Sequence, residues 1–363
     1  MISGQLNDLI PFGWSGSFER ALEGLQDPGV EPGRVVASTR DLTLVQTRAG
    51  ELWCRPTGRF RVESEAEGTV PCAGDWVALR RYPDGSGGAL EALLPRLSVL
   101  ARAETGGRSR RSGGRSRAQA LAANVDFTLL LMGLDANYNP ARMERMAAVA
   151  WASGAQPVVV LTKADLASDA DARRDEVTRR IGAHVDVHAV NALDPSSAAT
   201  LAPYLGAGQT LVLLGSSGAG KSTLTNALIG RAVQDTGAVR ADDSRGRHTT
   251  TVRSLHRLPG GACVIDTPGL RGLAPDIDEA GLAASFEDIQ SLASHCRFRD
   301  CTHADEPGCA VRAGVAPDRL ANYQKLLRDI RRDTLTPLQK REIVSMWKVR
   351  SKSAAARMKL KRG

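Results

Sequence analysis

No stretch of this 363-residue chain is apolar for long enough to cross a bilayer. The longest runs, such as FTLLLMGL from Phe127 to Leu134, fall far short of the ~20 residues that a spanning helix needs, so no contact with a membrane is expected. The opening residues, MISGQLNDLI, lack a basic region followed by an apolar core, so no secretion signal is expected and the cytoplasm is the default compartment. Cysteine is scarce. The six are Cys54, Cys72, Cys263, Cys296, Cys301 and Cys309, and without a secretion signal a disulfide framework is not expected. There is no internal repeat, which excludes a solenoid.

What remains is ordinary for a globular protein: 42% hydrophobic and 24% charged residues. The length suits two or three domains, and a monomer is the default assembly. The formal net charge of +8 is unevenly spread. GGRSRRSGGRSR (106–117) and the tail KVRSKSAAARMKLKRG (348–363) hold clustered Lys and Arg with little acid between them. Such clusters suit a nucleic-acid backbone, where each phosphate contact releases counterions. Either run alone is equally consistent with a solvated tail.

Residues 1–33 carry apolar positions at loose helical spacing and end in the turn-rich DPGVEPG. From 34 to 100 the chain reads as β. RVVAS, LTLVQT, ELWCR, PCAGDWVALRRY and GALEALLP are five strand-like runs. They predict an OB-like β-barrel or another small barrel, with Cys54 and Cys72 as core residues. The basic Arg/Gly/Ser segment then makes a linker over 101–117. Over 118–275 apolar strands alternate with helical segments: VDFTLLLMG, PARMERMAAVAWASG, QPVVVLTKAD, DVHAVNA, QTLVLLG, STLTNALIG, TVRSLHRLP and ACVIDTPG. This pattern predicts a mostly parallel sheet covered on both faces. Residues 276–363 read as a mainly helical domain with the basic tail.

GSSGAGKS (215–222) lies between a predicted strand and a predicted helix. In that context Gly215, Gly218 and Gly220 let backbone N–H groups converge on phosphate oxygens, with Ser216, Ser217 and Ala219 completing the loop. Lys221 reaches the β and γ phosphates. Ser222 is a ligand for Mg²⁺, and Thr223 follows in the helix. A phosphate loop does not name the base. Thr162-Lys163-Ala164-Asp165, at the end of an apolar strand, does so better. A carboxylate at Asp165 can accept from guanine N1–H and N2–H₂, a pair that adenine cannot supply, and the Lys163 stem can lie over the ring. The bland alternative is an Asp at a helix start. The Ala192 N–H could meet guanine O6. In DTPG, Asp266 can hold Mg²⁺ through water and the Gly269 N–H can approach the γ-phosphate. Between these lies SRGRHTTT, where Thr249 and Thr250 are the switch candidates and Thr250 completes the Mg²⁺ shell.

The order is unusual: base reader, phosphate loop, switch, then Asp-x-Pro-Gly. Joining the old ends of a compact domain and cutting elsewhere gives this order with the site intact. Near the C-terminus, CRFRDCTHADEPGC places Cys296, Cys301, His303 and Cys309 as C-x₄-C-x-H-x₅-C, with His295 adjacent. Three thiolates and an imidazole suit one tetrahedral, closed, structural Zn²⁺.

The permuted order, the β-rich N-terminal region, LAANVD, GRHTTT and the cysteine cluster together resemble the RsgA/YjeQ family of circularly permuted GTPases over nearly the full length. The resemblance implies an N-terminal OB-like barrel, a central permuted GTPase domain and a C-terminal helical zinc-binding domain. It implies GTP and GDP as ligands, and a partner in the small ribosomal subunit and its rRNA. The expected activity is particle-stimulated GTP hydrolysis, late in small-subunit assembly. It favours His303 over His295 as the zinc ligand. Thr162 stands where the family usually has Asn, which predicts a weaker tether of the base loop, and Asn191 stands where Ser is common. The position after Asp-x-Pro-Gly is Leu270, which cannot orient water as a Gln does. The family motif's histidine matches His248, the candidate catalytic residue. Two competing readings are a nucleic-acid-binding module with a purely structural nucleotide site, and an ATP-dependent enzyme. The intact Lys221, Ser222 and Asp266 disfavour the first, and Asp165 disfavours the second.

Overall fold

A computed structural model describes residues 7–39, 41–103, 118–182, 184–194, 199–229, 253–266 and 277–334. The basic segment at 106–117, the tail at 348–363, and His248, Thr249, Thr250, Gly269 and Leu270 lie outside the described residues.

A 3₁₀ turn over Asn7–Phe12 and helix α1 over Gly16–Glu23 precede five strands: β1 Glu31–Ser38, β2 Thr43–Thr47, β3 Gly50–Pro56, β4 Trp76–Arg81 and β5 Gly88–Leu93. β1 pairs with β2, β2 with β3, β3 with β5, β5 with β4, and β4 again with β1. The strands therefore close into the five-stranded barrel that the alternation predicts, and the pairing order decides for the OB type. Val35, Val45, Cys54, Val77, Leu79 and Leu90 fill it. Between β3 and β4 runs a helix absent from the sequence reading, α2 over Gly58–Glu67. Its sequence, GRFRVESEAE, has almost no apolar stripe, but its caps are legible. The Thr57 hydroxyl accepts from the Phe60 N–H, and Gly68 closes the far end in the left-handed conformation. Phe60 inserts into the barrel core.

β6 (Val99–Ala103) and β7 (Ala118–Ala123) form a separate antiparallel pair flanking the basic segment. The central domain then follows: β8 Phe127–Gly133, α3 Pro140–Ala152, β9 Gln156–Thr162, α4 Ala170–Ile181, β10 Val187–Ala189, β11 Thr210–Gly215, α5 Lys221–Ile229, β12 Ser254–Arg257 and β13 Cys263–Asp266. The strand order is β10-β9-β8-β11-β13-β12. All neighbours are parallel except β12, which is antiparallel to β13. Leu130, Met132, Val159, Leu161, Val212 and Leu214 face one apolar cluster, and Leu129, Leu131, Val158, Val160, Leu211 and Leu213 face another. Strands buried on both faces read as continuous apolar runs, which is why they were visible in the sequence.

The barrel and the central sheet meet edge to edge, with Ala37 of β1 opposite Ser254 of β12. Beside this joint Arg34 is buried. Its guanidinium donates to the carbonyl oxygens of Phe12, Gly74 (3.1 Å) and Asn124 (2.9 Å) and lies over the Trp76 ring. One cation thus ties the N-terminal turn, the barrel and the start of the central domain. Burial pushes its pKa down from the ordinary arginine value.

The C-terminal part is helical among the described residues: α6 Glu279–Ser285, α7 Glu287–Ala293, α8 Ala310–Gly314 and α9 Pro317–Thr334. It docks on α3. Glu144, wholly buried there, accepts from Arg319 (3.0 Å) and Asn322 (2.6 Å) of α9. Arg319 also forks onto Asp288 at 2.6 and 2.9 Å. Buried charges of this kind hold an interface only when paired on all sides, as these are.

Candidate nucleotide and metal sites

Parallel registry brings the carboxyl ends of the central strands to one edge. Gly133 of β8 lies opposite Thr162 of β9, and Leu131 lies opposite Gly215 of β11. Such an edge is where open α/β sheets bind ligands. The phosphate loop leaves β11 and enters α5 at Lys221. Gly218 (φ 76°) and Gly220 (φ 84°) adopt the left-handed conformation that side chains disfavour. Ser217 and Gly218 are exposed, Ser216 and Gly220 half-buried, and Ala219 is buried. Lys221 Nζ folds back across the loop and donates to the carbonyl oxygens of Gly215 and Ser216, each at 2.7 Å. Ser222 and Thr223 sit in the first turn of α5, whose N-terminus favours anions.

The base-reader segment adjoins this loop. Thr162 is buried, and its hydroxyl donates to the Ala219 carbonyl at 3.0 Å. Thr162 therefore supplies a direct bond between the two segments. Lys163 takes a left-handed backbone conformation (φ 60°) and opens a 3₁₀ turn over Ala164–Leu166 that leaves Asp165 exposed. The neighbouring loop is bonded to it: the Ala164 N–H donates to the Val190 carbonyl at 3.2 Å. Asn191 accepts from the Leu193 N–H at 3.0 Å, forming a turn around the buried Ala192. Asp266 ends β13, half-buried, with Ser254 opposite it on β12. The Thr162–Asp165 segment, the glycine-rich loop and the Asp266 carboxylate thus share one edge, an arrangement suited to a Mg²⁺-nucleotide. His248, Thr249, Thr250 and Gly269 fall outside the described residues.

Asp135 was not singled out by its sequence. It lies just beyond β8, and Lys163 Nζ donates to its carboxylate at 2.5 Å. That bond, with the Asn137 N–H, holds the Asp135 carboxyl below its ordinary pKa. The signal that could have found it is GLDANYNP, turn chemistry directly after a buried strand.

The second cluster lies between α7 and α9. The ligand atoms of Cys296, Cys301, His303 and Cys309 all lie within 4.8 Å of one another. His303 Nδ1 is 3.5 Å from Cys309 Sγ and 3.7 Å from Cys296 Sγ. Backbone N–H groups of Val311 and Ala310 hold the Cys296 thiol below its ordinary pKa, and the Arg312 N–H points at Cys309 Sγ at 3.4 Å. Donors aimed at these two sulfurs favour their thiolates, the form that binds metal, whereas burial pushes the Cys301 thiol up to about 11. His303 sits at φ 58°, and its carbonyl accepts from Gln324 of α9 at 2.9 Å. His295 is exposed and turned to Ser291 and Ser294, outside the cluster. The donor set fits a metal with all four positions taken by protein.

A family model described as RsgA GTPase matches residues 93–275. A protein named small ribosomal subunit biogenesis GTPase RsgA from Opitutus terrae is 44% identical over 335 residues, covering 88% of this chain and 89% of its own. One of the same name from Xanthomonas oryzae pv. oryzae is 45% identical over 299 residues, covering 81% and 77%. Among solved structures, YjeQ from Thermotoga maritima matches in fold with a TM-score of 0.62 at 24% identity, over 83% of this chain and 98% of that one. YloQ, described as a circularly permuted GTPase, matches with a TM-score of 0.58 at 25% identity, over 83% and 95%.

Proposed function

This chain belongs to the RsgA GTPase family and is a GTPase, and from that premise we propose that it hydrolyses GTP under stimulation by the small ribosomal subunit, as a factor acting late in that subunit's assembly. The observation that supports this reading is the Thr162–Ala219 bond, which joins the candidate base-reader segment to the glycine-rich loop although the two stand in inverted chain order.

In this reading Asp165 accepts the guanine N1–H and N2–H₂ pair, the Lys163 stem covers the ring, and the Ala192 N–H meets O6. Residues 215–223 hold the phosphates, with Lys221 swinging from the Gly215 and Ser216 carbonyls onto the β and γ oxygens. Ser222, Thr250 and Asp266 hold Mg²⁺, which supplies charge neutralisation along the phosphate chain. Thr249 and Gly269 approach the γ-phosphate. His248 orients the attacking water when the chain is docked on the particle, because Leu270 offers no polar group for it. Cys296, Cys301, His303 and Cys309 hold one Zn²⁺ that pins the loop before α8 to α9. With no open ligand position, this metal serves structure and takes no part in hydrolysis. The barrel and the basic tail bind rRNA, the protein is a monomer, and it works in the cytoplasm.

Co-sedimentation with small and large subunits in GTP, GDP and a non-hydrolysable analogue tests the assignment. Binding to small subunits in the analogue and release in GDP are expected. Equal binding to both subunits in every nucleotide state would reject it.

A further inference from the structure

We propose that Asp135 is a positioning residue of the guanine site, holding the Lys163 side chain in the pose that covers the base. The inference rests on the reading of Lys163 and Asp165 as the base site.

Lysine is a long, freely rotating chain, and a base-covering lysine must be fixed before or during binding. Here the chain itself supplies a partner for it. Lys163 Nζ meets Asp135 Oδ2 at 2.5 Å, while Oδ1 of the same carboxylate accepts from the Asn137 N–H at 2.9 Å. One oxygen anchors the carboxylate to its own turn and the other faces the lysine. The turn is braced in its turn. Arg173 donates to the Leu134 carbonyl at 3.1 Å, and Tyr138 donates to Glu176 at 2.8 Å. Asn139 caps α3 by accepting from the Arg142 N–H. At Gly133 a Cβ would stand 2.8 Å from Asp135 Oδ1, so glycine lets the carboxylate fold back over the strand end. The same turn reaches the phosphate loop, since a Cβ built on Gly218 would lie 3.7 Å from Asn137 Nδ2. The β8–α3 turn is thus bonded to the base-reader segment and runs close beside the phosphate loop.

A carboxylate beside a polyanionic ligand is electrostatically unfavourable unless a cation neutralises it. Charge alone therefore predicts that removing Asp135 tightens nucleotide binding. Positioning predicts the reverse, because a released lysine must be immobilised at the moment of binding. The two accounts differ in sign.

The test is equilibrium binding and dissociation of a fluorescent GDP on the full chain, for Asp135→Asn and Asp135→Ser in wild-type and Lys163→Met backgrounds. Both substitutions keep an acceptor for the Asn137 N–H and remove the carboxylate charge that faces the lysine. The expected result is affinity weakened about 3- to 10-fold by either change, through faster dissociation. No further loss is expected once Lys163 is Met, and the preference for guanine over xanthine stays unchanged. Affinity that is unaltered or tightened in both variants overturns the proposal, as does an equal loss in the two backgrounds. Failure of the base-site reading shows separately, as unchanged GDP affinity in Asp165→Asn.

Discussion

The hydroxyl of Thr162 donates to the carbonyl oxygen of Ala219 at 3.0 Å across 57 positions of sequence. Circular permutation changes chain order without changing this contact, because a hydrogen bond depends on where two groups stand in space. Thr162→Val keeps the shape and leaves a backbone acceptor unpaired beside a buried site. The expected cost is about 1–3 kcal/mol in stability, read by denaturant unfolding, with weaker GDP binding. Thr162→Ser should restore most of both.

Asp165→Asn removes the carboxylate that accepts two donors from guanine. Loss of two charge-assisted bonds should weaken GTP binding by about 100-fold or more. Preference should move toward xanthine nucleotides, measured by competition against fluorescent GDP.

Purified protein should carry about one zinc per chain by elemental analysis. Cys301→Ala should abolish it and lower the unfolding midpoint of the C-terminal helices, while GDP still binds. Acid should release the metal, because the ligand thiolates and the imidazole must take up protons as pH falls. Titration under a zinc-sensitive dye reads the release.

For the switch, His248→Ala should retain GTP binding and slow basal turnover and lose most of the stimulation by small subunits. Single-turnover hydrolysis with and without particles measures it. Stimulation equal to wild type would make the particle itself the source of the catalytic group.

Much of this was legible in the residues. Thr162 to Asp165 and residues 215–222 announce themselves because phosphate and base chemistry need particular residue types at fixed local spacing. The cysteine cluster does so because thiolates rarely crowd a polar loop without a metal. The central strands were visible because burial on both faces leaves continuous apolar runs.

What the sequence by itself determined, then, was local: phosphate-loop glycines, a candidate base-reader segment, a Cys/His pattern suited to metal and the alternation of strands. The tertiary structure decided everything that depends on distant partners. The parallel pairing of β3 with β5 closes the barrel, and no local pattern encodes which distant strand a segment meets. Arg34 reads as an ordinary charged residue until three carbonyls from different parts of the chain surround it. α2 was missed because an almost stripe-free helix is held by its caps and one buried ring rather than by amphipathic spacing. Asp135 meets Lys163 only because β8 and β9 run parallel in a register that sets Gly133 beside Thr162, bringing a carboxylate from one turn within reach of a lysine on the next.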